Sequence, residues 1–215
     1  MPPAMGRCHQ IAKRVFDFTA AAAGLILLGP LIGAIYLLVR CTSPGGGFFV
    51  QDRAGRGGRL FRLIKFRTMR AEHVHDPDPS IVITTEDKDL TAVGRALRRL
   101  KLDELPQLLN VLAGQMSLVG PRPTVPEQVA EYDDFKRRRL LVRPGITGLA
   151  QINGGTALSW DERIEWDVYY VQHQSLWTDL KILLRTFVSV LARPESRVRR
   201  FRDVHPEEAG RLSRS

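Results

Sequence analysis

Between Asp17 and Arg40 the chain carries no charged side chain; residues 18–39 read FTAAAAGLILLGPLIGAIYLLV, a run of 22. About 20 apolar residues in a helix suffice to cross the hydrocarbon core of a bilayer, so a chain with this run must place it in lipid or cover it. A cleaved signal peptide does not fit, because Tyr36, Leu37 and Leu38 stand where small residues would be needed. A spanning anchor and a re-entrant segment both remain open. Gly29-Pro30 at the midpoint predicts a helix break, since proline removes one intrahelical hydrogen bond and crowds the preceding turn. Arg7, Lys13 and Arg14 precede the run, and Arg40, Arg53, Arg56 and Arg59 follow it. That pattern gives no inside–outside asymmetry, as expected for a hairpin with both ends on one side.

The whole chain, 215 residues with 44% hydrophobic and 26% charged content, excludes global disorder, collagen-like repeats and a polytopic membrane protein. Cys8 and Cys41 are the only cysteines, so neither a disulfide framework nor a cysteine-based zinc site is encoded. Lys and Arg number 32 against 23 Asp and Glu, a net charge of +9. A polyanionic partner follows, with nucleic acid, anionic membrane lipids and nucleotide phosphates all eligible.

The expected fold class is α+β, mostly helical, with a small β-hairpin and several amphipathic helices. Residues 48–69, FFVQDRAGRGGRLFRLIKFRTM, read as a hairpin turning at Gly55, Gly57 and Gly58. Lys65 and Arg67 lie two positions apart on its second strand and hence on one face, either as a solvated face or as a phosphate-binding pair. Residues 71–90 form a polar loop, in which His73, His75, Asp76 and Asp78 lack the further spacing of a metal site. A helix is predicted from Thr91, another from about Pro126 to Leu141, a third behind the Ser159/Glu162 capping box, and a last over Thr178–Leu191. That last helix carries Leu180, Leu183, Leu184, Phe187 and Leu191, a face for a core or for lipid headgroups. From Arg193 the chain is expected to be disordered. The domain reading is a membrane segment over 1–42, a catalytic body over 43–192 and a basic tail over 193–215.

The most informative element is LDELPQLLNVLAG, with Leu105, Leu108, Leu109 and Leu112 on one face and Gly114 as a stop. Asp103 falls at the expected N-cap and Glu104 in the first turn, directly after Arg95, Arg98, Arg99 and Lys101. Helix dipole and arginines favour an ionised carboxylate that could bind Mg²⁺ or attack phosphorus. Ordinary capping accounts for the same residues, and geometry leaves both readings standing. Further on, Gly120-Pro121-Arg122-Pro123 makes a rigid turn that fixes one arginine.

Taken in order, KRVFDF, TSPG, FF-Q-R-G-G-F-KFRTM, LDELPQLLNVLAGQMSLVGPRP and RPGITGLAQING resemble the bacterial sugar transferases, the monotopic polyprenyl-phosphate phosphoglycosyl transferases, from about Lys13 to Leu191. The resemblance implies transfer of a sugar 1-phosphate from a nucleoside diphosphate sugar, usually a UDP-sugar, to polyprenyl (undecaprenyl) phosphate. Such a step begins the assembly of a bacterial polysaccharide or glycoconjugate. It implies a re-entrant N-terminal helix, a catalytic body on the cytoplasmic face of the inner membrane, Mg²⁺ dependence and a covalent intermediate with ping-pong kinetics. By the same match Asp103 is the nucleophile, and Glu104 assists through metal or proton handling. Arg98, Lys65 and the Pro121-Arg122-Pro123 turn bind substrate, joined by Arg67 and Arg143. Asp103 and Glu104 would hold the metal. One departure stands out: Gly29-Pro30 replaces the Ser-Pro common in the family. A membrane-tethered nucleic-acid-binding protein, suggested by charge alone, lacks any recognisable nucleic-acid motif, and a sugar-nucleotide hydrolase would keep the site but use water.

Overall fold

The uncharged run lies within one helix, α1 (Arg7–Thr42), of 36 residues. At 1.5 Å per residue it is about 54 Å long. The structure, a computed structural model, describes residues 6–43, 45–70, 89–192 and 198–212. The expected break does not interrupt α1: Gly29 and Pro30 lie inside a continuous helix. What patterns α1 is cover rather than polarity. Lys13, Asp17, Ala21, Ile35 and Val39 are buried, and Gly24, Leu25, Leu28 and Ile32 are partly so. These steps of three and four residues trace one stripe down the helix. Ile11, Val15, Phe18, Ile26, Leu27, Leu31, Leu37 and Leu38 stay exposed on the other face.

The hairpin is present, β1 (Phe48–Ala54) antiparallel to β2 (Leu60–Phe66), with Phe49 opposite Lys65. Gly57 turns it at φ 66°, a value that favours glycine. The polar loop with His73, His75, Asp76 and Asp78 falls on residues 71–88, outside those described. Thr91 caps α2 (Ala92–Arg99) as expected, its hydroxyl accepting from the Gly94 N–H at 2.9 Å. Gly94 is required for packing, because a Cβ there would sit 2.1 Å from the Thr68 carbonyl oxygen.

The segment read as one helix from Asp103 is two pieces. Leu102–Glu104 forms a single 3₁₀ turn, and α3 (Gln107–Leu112) starts behind Pro106, which supplies no side-chain cap. Asp103 is therefore not an N-cap. β3 (Ser117–Val119) follows. The helix expected over 126–141 is also divided, into α4 (Pro126–Ala130), α5 (Asp134–Arg137) and a 3₁₀ turn at Arg138–Leu141. Asp133 restarts the helix by accepting from the Lys136 N–H at 2.7 Å, while Tyr132 turns inward to Thr124 and Arg139. β4 (Gly145–Thr147) pairs in parallel with β3, a pairing not anticipated from the sequence.

After the short α6 (Leu149–Ile152), α7 (Trp160–Gln172) begins with the predicted capping box between Ser159 and Glu162. In α8 (Leu176–Ala192), Ile182 is buried but Trp177, Leu180, Leu184, Phe187 and Val188 are exposed. The C-terminal segment is not disordered over 198–212: it forms α9 (Phe201–Val204) and α10 (Pro206–Leu212). Packing against α7 explains this. Phe201 is wholly buried edge-on to Trp166, with ring centroids 5.1 Å apart, and the Trp166 indole donates to the Arg199 carbonyl at 3.0 Å.

Two apolar clusters fix the rest of the chain to α1. Ala21 packs with Phe61, Leu63, Leu108, Val111 and Met116, and Ile35 and Val39 pack with Phe66 and Leu97. The hairpin, α2 and α3 are thereby held against both halves of the same helix.

Candidate active site

Four elements converge on Asp103 and Glu104. The 3₁₀ turn presents the carboxylates, β2 brings Lys65, the last turn of α2 brings Arg98, and the turn after β3 brings Arg122. Each is located by a local device. Buried Asn110 on α3 accepts from the Ile64 N–H at 3.1 Å and donates to the Arg62 carbonyl at 2.7 Å, which fixes β2 against the helix behind the dyad. Arg98 Nε donates to Thr68 Oγ1 at 3.0 Å, the contact made possible by the missing Cβ of Gly94.

The Arg122 turn is held by the β3–β4 pair. The Gly120 N–H donates to the Thr147 carbonyl and the Gly145 N–H to the Pro121 carbonyl, each at 2.9 Å. A Cβ on Gly120 would lie 2.4 Å from the Arg143 carbonyl oxygen, so the approach requires glycine. Buried Arg139 supports the turn from behind, donating to the Arg122 carbonyl at 2.9 Å, to Asp167 at 2.6 Å and to the Tyr132 hydroxyl at 2.7 Å. Burial pushes Asp167 up to about 6 against the pull of Arg139. Pro121 and Pro123 line a shallow depression beside Arg122, together with Gly55 and Thr124.

The two acids have opposite electrostatics. Arg122 Nη2 donates to Glu104 Oε1 at 2.6 Å. Burial opposes ionisation of Glu104, but Arg122 and Lys65 overcome it and hold the carboxyl at about 2. Asp103 is buried, and that burial together with the Glu104 charge pushes its carboxyl above the ordinary range, against Lys65, Arg98 and Arg122. The sequence expectation that dipole and arginines would favour the Asp103 anion is thus reversed: the residue sits in a buried turn beside a second carboxylate, not at a solvated helix end. Burial and Arg122 lower Lys65 to about 8, so it remains a cation at neutral pH.

Not every predicted binding residue joins this group. Arg67 lies past the end of β2, and its guanidinium donates to the Gly46 and Phe48 carbonyls at 3.1 and 3.3 Å. Arg143 Nε donates to the Gly114 carbonyl at 2.9 Å and stands beside Arg14 and Arg56 instead. Asn110, Gly94, Arg139 and Asp167 were missed, because their roles depend on pairings between distant segments that no local spacing announces.

A pair of adjacent carboxylates fits a Mg²⁺ ion that keeps waters and takes its remaining ligands from substrate phosphates. Among the described residues no group of three or more His, Cys, Asp or Glu side chains forms a self-sufficient metal cage. Glu104 Oε1 is engaged by Arg122, which leaves its second oxygen and the Asp103 carboxylate as the donors. Two acids faced by Lys65, Arg98 and Arg122 define a site suited to a phosphorylated substrate.

The pattern of the bacterial sugar transferase family matches residues 8–193. The chain belongs to that family, and it is a transferase. It is 45% identical to the uncharacterized sugar transferase EpsL of Bacillus subtilis, covering 84% of this chain and 88% of that protein. It is 43% identical to the UDP-glucose:undecaprenyl-phosphate glucose-1-phosphate transferase of Caulobacter vibrioides, over 84% of this chain and 70% of the relative. With the galactosyl transferase CpsE of Streptococcus agalactiae it shares 42% identity over 85% of its own length, but spans only 43% of that longer protein.

Proposed function

We propose that the protein moves a sugar 1-phosphate from a UDP-sugar to undecaprenyl phosphate through an aspartyl-phosphosugar intermediate on Asp103. The observation that carries this reading is the surplus of positive charge at a carboxylate pair in which Asp103 is buried: Lys65, Arg98 and Arg122 surround Asp103, and Glu104 already has Arg122 as its own partner. Relatives named as glucose-1-phosphate, N-acetylgalactosamine phosphate and galactose phosphate transferases to undecaprenyl phosphate support the substrate classes. The sugar is left open by that range.

In the first step an Asp103 oxygen attacks the β-phosphorus of the UDP-sugar, and the bond from that phosphorus to the bridging oxygen breaks, releasing UMP. In the second, a phosphate oxygen of the polyprenyl phosphate attacks the same phosphorus and the Asp103 carboxylate leaves. Burial makes the Asp103 oxygen more basic than a solvated carboxylate, and hence a better nucleophile once ionised. Arg122 and Lys65 neutralise charge developing on the departing phosphate, and Glu104 fixes Arg122 in place. Asp103 and Glu104 would hold a Mg²⁺ ion, which would supply further charge neutralisation. Two half-reactions at one residue let a polar donor and an apolar acceptor use the site in turn.

The features of α1 and α8 support a placement at the membrane. A helix covered by the catalytic body at Asp17 and again at Val39 is poorly suited to passing through a bilayer, since a crossing over this length would draw the body in with it. We therefore read α1 as monotopic, with its uncovered face and the exposed face of α8 directed to lipid at the cytoplasmic side of the bacterial inner membrane. The test is turnover in detergent or nanodiscs with Mg²⁺ and a panel of UDP-sugars. Sustained UMP release that requires undecaprenyl phosphate is expected with one donor; equal release without the acceptor would make the protein a hydrolase.

A further inference from the structure

Among the described residues Lys101 is the only non-glycine residue with positive φ, at φ 55° and ψ 22°. It occupies the position after the α2 C-cap, where the chain leaves the helix in the left-handed conformation, and its N–H donates to the Arg98 carbonyl at 3.0 Å. Glycine is the usual residue at such a place, because an L side chain there meets its own backbone. The Lys101 side chain does nothing visible to offset that strain: it is exposed and caps no helix end through its own atoms. It stands two residues before Asp103, and its charge is one of those that hold Glu104 ionised. Strain of this sort clusters at active sites and ligand clamps.

We propose that the Lys101 ammonium is a substrate-binding group that contacts the diphosphate of the incoming nucleotide sugar. This rests on the proposed transferase reading of the same site. The left-handed turn sends the chain sharply from α2 into the 3₁₀ turn, so residue 101 sits at the rim while residue 103 is buried. Lys65, Arg98 and Arg122 are held by their surroundings, whereas Lys101 has a long side chain free to follow a ligand as it arrives and leaves. A nucleoside diphosphate brings more negative charge than the sugar-phosphoryl group that remains on the protein. A rim cation therefore favours the donor-bound and nucleotide-bound states over the protein that carries the phosphosugar.

The test compares Lys101→Gly, Lys101→Arg and the parent protein in the same detergent, reading thermal stability, Kd for UDP by calorimetry, and KM for the UDP-sugar and for undecaprenyl phosphate separately. Lys101→Gly is expected to melt at a higher temperature because it removes the strain, yet to bind UDP at least about fivefold more weakly with the acceptor KM unchanged. Lys101→Arg should keep UDP affinity within about twofold of the parent. A glycine variant that is more stable and binds UDP like the parent would show that Lys101 is only a tolerated cap residue, and would overturn the inference. A rise in acceptor KM equal to that for the donor would overturn it as well. Failure of the parent itself to bind UDP or turn over would instead remove the transferase reading, and this inference with it.

Discussion

Two groups of charge in this molecule are built in opposite ways. Where α1 meets α8, Lys13 donates to Asp179 at 2.5 Å and lies 3.7 Å from Asp17. The Tyr170 hydroxyl bridges Asp179 at 2.7 Å and the Val119 carbonyl at 3.0 Å, and Asp17 accepts from the Leu118 N–H at 3.1 Å. That lone cation has acids and a hydroxyl around it, all buried. At the candidate active site the balance is reversed, with Lys65, Arg98 and Arg122 facing Asp103 and Glu104. Around Lys13 two acids outnumber one cation, and the further donors beside them come from the protein itself, the Tyr170 hydroxyl and the Leu118 N–H. A group with cations in excess is completed only by an anion from outside, and that contrast separates scaffold from site.

The comparison can be broken at several points. Asp103→Asn should reduce transferase activity by about 10⁴ or more, with an unchanged far-ultraviolet circular dichroism spectrum, because the Glu104–Arg122 pair survives. Activity near the parent level would place the nucleophile elsewhere. Asp179→Ala should act on stability instead, lowering it by roughly 3 kcal/mol in urea titrations, since Lys13 and Tyr170 lose their shared partner in a buried setting. An unchanged midpoint would mean that α1 is held by apolar packing alone.

The smallest effect concerns Lys65. Its charge is lost as pH rises through about 8, so the KM for the UDP-sugar should climb over that interval and the rise should move upward in Lys65→Arg. Stability moves the other way. Between about 8 and the ordinary 10.5 the unfolded lysine keeps a proton that the folded one has lost, so the folded state gains on raising the pH. A donor KM flat from pH 7 to 9 would remove Lys65 from substrate binding.

How far the sequence could be read depended on the range of the forces involved. The hairpin turn at Gly57, the Thr91 cap and the Ser159 capping box are set within a few residues, and each is where its motif places it. The roles of Asp103, Glu104 and Arg98 came from the family resemblance, since local spacing left ordinary capping equally open. The electrostatics of Asp103 were not legible, because burial is decided by β2 and β3 arriving from elsewhere in the chain. Arg67 and Arg143 resemble Lys65 and Arg122 in sequence context, but long-range backbone partners at Gly46, Phe48 and Gly114 take up their guanidinium groups. The tail misled through composition: an Arg-rich stretch reads as solvated, yet over 198–212 Phe201 and His205 pack on Trp166 and Arg202 pairs with Glu165.

The central claim is that Asp103 carries the phosphosugar, and intact-protein and peptide mass spectrometry address it directly. Incubation with the UDP-sugar and Mg²⁺ in the absence of undecaprenyl phosphate should yield one equivalent of UMP and a sugar-phosphate adduct that maps to Asp103 and disappears when the acceptor is added. UMP release only when the acceptor is present, with no adduct on Asp103 after rapid quenching, would contradict the account and point to direct transfer between the two substrates.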